Sequence, residues 1–226
     1  ARGSVCVLYR MPPMRTQSLC LRTELIFWRR QGRVEDRGDH VVVATPSQPD
    51  YYFGNLLYFP APPAPGDFER WRRLFREAFA AEPRVRHETF LWDVPDGAWS
   101  DVAPFLDAGF EPEENVVLAT GAVRPPRRPN ADLVVRRLET DDEWAEAVEN
   151  QVRCRPPGWP DAIAYREFAT TRMRGYRALA DGGLGAWHGG FLDGTLAGDL
   201  GLFRDGVVAR FQNVGTHPDY RNRGVC

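Results

Sequence analysis

Two Asp-Gly steps, Asp193-Gly194 and Asp205-Gly206, stand twelve residues apart between stretches whose period is strand-like. Asp-Gly tolerates the positive φ angles of two-residue hairpin turns. The pair therefore predicts three antiparallel strands, near Leu184 to Leu192, Thr195 to Phe203 and Val207 to Thr216, each long enough to cross a domain. A short strand is expected earlier, from Leu133 to Leu138. Thr140 and Glu143 after it have the spacing of a capping box, which starts a helix. Trp144, Ala147, Val148 and Val152 recur on one face of that helix, and Asp141, Asp142 and Glu143 sit at the positive end of its dipole. After the loop RPPGWP a second helix is predicted from Asp161 to Ala180, with Ile163, Phe168, Met173 and Tyr176 inward.

The segment Val123 to Asn130, VRPPRRPN, has three prolines and three arginines and suits a stiff exposed connector. It divides the chain into an amino-terminal extension (1–18), a first half (19–123), a linker (124–130) and a second half (131–226). In the first half, strands are expected at His40 to Ala44, Gly54 to Phe59 and His87 to Asp93. Asp67 is placed as the cap of a helix whose Phe68, Trp71, Leu74, Phe75, Ala78 and Phe79 share one face. A further helix, Ala98 to Ala108, should turn Trp99, Val102 and Leu106 inward and end on a left-handed Gly109, before a last strand from Asn115 to Thr120. The aromatics Tyr51, Tyr52 and Phe53 are read as core, with the lining of an acceptor pocket as the alternative. Helices alternating with strands in both halves indicate an α/β or α+β fold.

Composition removes several function classes. With 43% hydrophobic and 27% charged residues and a formal charge of -2 in 226 residues, the chain is an ordinary globular sequence rather than a basic nucleic-acid binder. All 29 of its Lys+Arg residues are arginine. Cys6, Cys20, Cys154 and Cys226 form no C-x-x-C pair, and His40, His87, His188 and His217 are equally dispersed, so no metal site is expected. Scattered cysteines fit a reducing, cytoplasmic compartment. There is neither an apolar run near the ~18 residues of a membrane span nor a charged-then-apolar leader. Neither G-x-S-x-G nor a Walker A motif occurs.

The segment that carries chemistry is HPDYRNRGVC. Pro218 stops the last strand, and Arg221, Asn222, Arg223 and Gly224 make a turn expected to open a helix. Backbone N–H groups in such a turn lack partners and can converge on a phosphate, with the arginines adding charge at the rim. Gly224 keeps a side chain out of the way of that approach. Four or five N–H groups at ~1.5 kcal/mol each total ~6–8 kcal/mol, near the free energy of a micromolar ligand. The plainer alternative is an exposed Arg/Gly turn with no ligand.

Arg221-Asn222-Arg223-Gly224-Val225-Cys226 after a strand ending near Pro218 resembles the pyrophosphate signature of the GNAT N-acetyltransferase superfamily, with Cys226 in the last small position. The preceding strand, two helices and three-strand meander resemble that family's amino-terminal arrangement, over about Asp132 to Cys226. The resemblance implies a mixed central sheet flanked by helices and an acetyl-CoA co-substrate without a metal. Val214, Gly215 and Thr216 would face the pantetheine and acetyl group, and the turn from Arg221 to Cys226 would hold the diphosphate. The partner implied is an amine on a small molecule or a protein, with neither nucleic acid nor membrane, and a homo-oligomer is left open. FLWDVPDGAWSDVAPFLDAGFEPEENVVLATG, RTEL and PAPGDFERW resemble the degenerate amino-terminal half of tandem members, with PAPPAPGD in place of the phosphate turn.

The sequence departs from the family pattern in two ways. The strand from Val207 to Thr216 has no Asp, Glu or His to serve as base, leaving Asp199 and His217 as weak candidates. The carboxy-terminal part of the fold does not follow Cys226, so the second half reads as incomplete, unless the arm from Trp92 to Thr120 completes it by exchange. Acceptor specificity would fall to the loop Arg155 to Asp161 and to the first half. An N-acetyltransferase is the leading reading, and a non-catalytic CoA-binding or interaction module the alternative.

Overall fold

The computed structural model describes residues 19–93, 98–115, 118–122, 124–126, 128–156 and 161–225. Helix α1 (Leu19–Gln31) is followed by β1 (Arg33–Asp36), β2 (Val41–Ala44) and β3 (Leu56–Phe59), paired antiparallel in that order. Helix α2 (Asp67–Ala78) then returns the chain to β4 (Phe90–Trp92), which lies parallel to β3, and a short α3 (Ala103–Asp107) follows. The second sheet begins with β5 (Val134–Arg137), before α4 (Asp141–Arg153) and α5 (Ala162–Asp181). The meander β6 (Gly185–Leu192), β7 (Thr195–Asp205) and β8 (Val208–Thr216) completes it. The two sheets, β1-β2-β3-β4 and β5-β6-β7-β8, are separate; the first is mixed and the second wholly antiparallel.

Strands β2 and β3 are buried on both faces, and their alternation sorts the side chains into two layers. Val41, Val43, Leu56 and Tyr58 meet Leu21, Leu25 and Trp28 of α1. Val42, Ala44, Leu57 and Phe59 meet Trp71, Phe75 and Phe79 on and just after α2. Trp71 stacks on Phe59 with ring centroids 3.8 Å apart. The remaining side of α1 enters the second core, where Phe27 meets Tyr176 and Phe203 edge-on at 5.6 and 5.4 Å, beside Trp187 and Trp144. A helix serving two cores shows no single apolar stripe, which is why periodicity does not reveal it.

The meander lies where the Asp-Gly steps place it, with Asp193 at φ 50 and Gly194 and Gly206 at φ 78 and 58. Helix α4 carries the full capping box: the Glu143 amide donates to Thr140 Oγ1 at 3.2 Å, and the Glu143 carboxylate accepts from the Thr140 amide at 3.2 Å. Arg136, 2.6 Å from that carboxylate, and the amides of Glu139 and Thr140 hold it well below the usual range, at about 2. Replacing Thr140 by alanine is expected to cost ~1 kcal/mol and to lower Tm by roughly 2–4 °C in a thermal melt.

Other expectations change. Helix Ala98 to Ala108 shortens to Ala103–Asp107 because Pro104 is tolerated only in a first turn; Phe105 is its buried residue, while Leu106 is exposed. Asp67 is not the cap of α2. Gly66 occupies that position with φ 88, and Asp67, in the first turn, accepts from the Ala64 amide at 2.9 Å. His87 to Asp93 narrows to the three residues of β4. The described part of Asn115 to Thr120 forms no strand; residues 116 and 117 lie outside the described residues. Ile163, Tyr52 and Phe53 are exposed rather than core, at 69%, 59% and 39%. The arm after β4 stays with its own half, where Trp92, Phe105 and Phe110 pack on the α2 core.

Candidate functional site

The candidate site forms where β8 ends. Glycines at 190 and 198 in β6 and β7 leave space that Val225 fills: a Cβ on Gly198 would fall 2.9 Å from Val225 Cγ1. The sequence thus seats the turn on the sheet through missing side chains. In β8 the register shifts opposite Asp199–Gly201, and Asn213 takes φ 46, the mark of a bulge. β8 is the last strand of its sheet, so the outward backbone groups of Val214 to Thr216 have no strand beside them among the described residues.

After β8, His217 caps a short 3-10 turn, Pro218–Tyr220. The predicted helix does not follow among the described residues. Asn222 and Gly224 stand at φ 61 and 70, which a right-handed helix excludes. Left-handed residues set between ordinary ones curl successive amides into an anion-binding concavity. Among the described residues, the amides of Asn222, Arg223, Gly224 and Val225 donate no hydrogen bond. The Arg221 amide makes only a long 3.4 Å contact with Pro218 O.

A cleft of about 520 Å³ brings these groups together, lined by Val214, Gly215, Thr216, Arg221, Asn222, Gly224 and Val225, with Cys154 and Tyr220. Arg223 is not in the lining. Its guanidinium lies 5.1 Å from the Tyr220 ring, and its carbonyl accepts from Asn130 Nδ2 at 2.7 Å. Cys226 lies outside the described residues. Arg153 lies 2.8 Å from His217 Nε2, joining the end of α4 to the turn, and Cys154 donates to Thr216 O at 3.2 Å.

Gly224 has a different reason from the one the sequence suggests. A Cβ there would point at the connector, 3.3 Å from Arg128 O and 3.4 Å from Asn130 Cβ, not into the cleft. Glycine is required for its φ and for the connector's close approach.

Beneath the cleft floor lies a buried polar cluster. Asp199, 3% exposed, accepts from Trp187 Nε1 at 2.7 Å, from Gln151 Nε2 at 3.0 Å, and from Asn150 Nδ2. Burial pushes its carboxyl up to about 6 against the pull of these three neutral donors. Gln151 also donates to Asn213 O at 3.3 Å, tying the bulge to the cluster. Neither weak base candidate lines the cleft. Both Asp199 oxygens are engaged, and both His217 nitrogens face donors, Arg153 on one side and the Asp219 amide at 3.2 Å on the other. The described part of the loop Arg155 to Asp161 adds nothing to the lining.

Sequence reasoning misses Cys154, Asn130 and the Asn150-Gln151 pair. Gln151 does leave a signal: it continues the stripe Trp144, Ala147, Val148 as a polar residue on an apolar face. Among the described residues no group of His, Cys, Asp and Glu is arranged to hold a metal ion, and no helix is long and apolar enough to cross a membrane.

No protein-family model and no curated protein matches the sequence. Solved structures do match in fold. A conserved protein of unknown function from Staphylococcus epidermidis superposes with a TM-score of 0.64 at 9% identity, over 87% of this chain and 76% of its own. A GCN5-related N-acetyltransferase from Kribbella flavida superposes with a TM-score of 0.55 at 14% identity, over 94% of this chain and 77% of its own. At such identities the likeness shows the fold alone, a mixed α/β arrangement resembling that of the GCN5-related N-acetyltransferase.

Proposed function

We propose that the cleft at the end of β8 binds acetyl-CoA and that the protein is an N-acetyltransferase. The observation that carries this reading is the run of amides from Asn222 to Val225 with no hydrogen-bond partner among the described residues, beside Arg221 and the edge of β8. That donor set fits a diphosphate: it is cationic at the rim and rich in N–H groups, with no acid in the lining. Asn222, Gly224, Val225 and Arg221 would hold the diphosphate. Val214, Gly215 and Thr216 would lie along the pantetheine. The co-substrate supplies an activated acyl group, and an N–H of β8 would polarise its carbonyl. The acceptor is an amine of a small molecule or a protein. Residues 19–123 would act as a degenerate GNAT-like half bracing the acceptor side, joined by the 124–130 linker to the acetyltransferase half, 131–226. Its proline loop closes on itself, with the Asp67 amide donating to Ala64 O at 2.9 Å and the Ala64 amide to the Asp67 carboxylate. The reading places the protein in the cytoplasm, consistent with Cys20 and Cys154 being reduced thiols.

The engagement of Asp199 and His217 favours a second reading, a module that binds CoA without turnover. One experiment separates the two. Acetyl-CoA at a hundred times its Kd is expected to raise Tm by about 5–10 °C, from ~2.7 kcal/mol of linkage. Thiol release with a panel of amines then reports transfer. Protection without release supports the module, and no protection removes both readings.

A further inference from the structure

A second cavity, of about 530 Å³, lies at the seam between the end of α1, the turn at 45–48 and the outer half of α5. It contains none of the groups used above. Its lining includes three arginines, Arg30, Arg172 and Arg174, and no acid. Among the described residues none of the three makes an ion pair, although the chain carries 31 acids for its 29 bases.

Arg172 is the informative member. It is only 7% exposed, and a guanidinium stays charged even when buried. Its ring neighbours are Tyr51 at 4.1 Å and Tyr176 at 4.9 Å, and it donates to Gln31 Oε1 at 3.1 Å and to the Tyr176 hydroxyl. All of these partners are neutral. Glu24 is the acid nearest in influence, and its carboxylate is taken by Arg210. A buried cation with neutral partners is costly unless an anion completes it.

The surroundings suit an anion. Thr45, Ser47, Gln48 and Thr171 add hydroxyl and amide donors around the cavity. Gln31 Nε2 is buried with no acceptor, because its Oε1 is turned to Arg172. Gly175 makes the arrangement possible: a Cβ there would stand 2.7 Å from that nitrogen. Arg30 on α1 and Arg174 on α5 are exposed, and Arg172 is buried, so the lining carries two cations open to solvent and one enclosed.

We propose that this seam binds a compact polyanion carrying two or more acidic groups, phosphoryl or carboxylate, with one group on the Arg172 guanidinium and another between Arg30 and Arg174. The site is separate from the acyl-transfer cleft and does not depend on that reading. Since its walls belong to both halves, the anion would also hold them together.

Calorimetric titration of the full chain at fixed ionic strength tests this, with inorganic pyrophosphate in one arm and citrate in the other. Because Arg172 is buried and its loss can unfold the chain, the rim is altered instead. Saturable binding is expected in the unmodified protein, weakened at least ~10-fold in the Arg30→Gln/Arg174→Gln variant. Citrate binding should be unchanged in Arg221→Gln/Arg223→Gln, and pyrophosphate, which the β8 turn also fits, should keep in that variant the saturable component that Arg30→Gln/Arg174→Gln weakens. Pyrophosphate alone marks the ligand as phosphoryl, and citrate alone marks it as carboxylate. No saturable binding of either anion overturns the proposal. So does equal affinity in the Arg30/Arg174 variant, or a loss confined to the Arg221/Arg223 variant.

Discussion

Replacing Gly224 by glutamate is expected to abolish the thermal protection given by acetyl-CoA, with affinity falling at least ~100-fold. Gly224 has φ 70, and its missing Cβ faces the connector at 3.3 Å from Arg128 O. An L side chain at such a φ is strained by ~1–2 kcal/mol, and a carboxylate set against a carbonyl oxygen is repelled as well. The turn relieves both by unwinding, which scatters the amides of Asn222 to Val225. Losing two charge-assisted N–H contacts at ~1.5 kcal/mol each accounts for the hundredfold. Gly206→Glu is the matched control, since Gly206 has φ 58 with nothing within 4 Å of its would-be Cβ, far from the cleft. That variant should melt earlier yet keep the full acetyl-CoA increment. If Gly224→Glu retains the increment too, the diphosphate does not lie on this turn.

The second large effect concerns pH. Asp199 has its carboxyl pushed from the ordinary 3.8 to about 6 by burial. Between these values the folded chain holds a proton that the unfolded chain releases. Its contribution is therefore complete below about pH 4 and is lost as pH rises through about 6. Roughly two pKa units correspond to ~3 kcal/mol. Glu143 behaves oppositely, its stabilisation being lost as pH falls toward about 2. Urea unfolding from pH 4 to 8 should show the Asp199 contribution as a falling free energy, and Asp199→Asn should remove it. The variant can keep its packing because Trp187 and Gln151 still donate to the amide oxygen while Asn150 turns its own amide to accept from the new NH2. Parallel profiles for the two proteins would refute the assignment.

Local rules wrote the second half plainly. The Asp-Gly steps and the Thr140–Glu143 box each act within a few residues, and each is where the sequence puts it. Helix α1 was illegible because its apolar residues serve two cores, and β1 because an edge strand reading RVED has no buried face. The turn at Arg221 to Val225 was legible as a motif, but the reason for its glycine was not. Asn130 fastens the turn from 93 residues away, and no local pattern encodes such a contact. Cys154 reaches the cleft only because α4 ends against β8, which is likewise a tertiary fact.

Helix α1 gives Leu21, Leu25 and Trp28 to one sheet and Ile26 and Phe27 to the other. Melting it would uncover one face of each sheet at once, while the layer between the first sheet and α2 keeps its own contacts. The two sheets are thus coupled through one helix, and residues 131–226 made without it are expected to leave Phe203 and Tyr176 without the Phe27 ring that covers them.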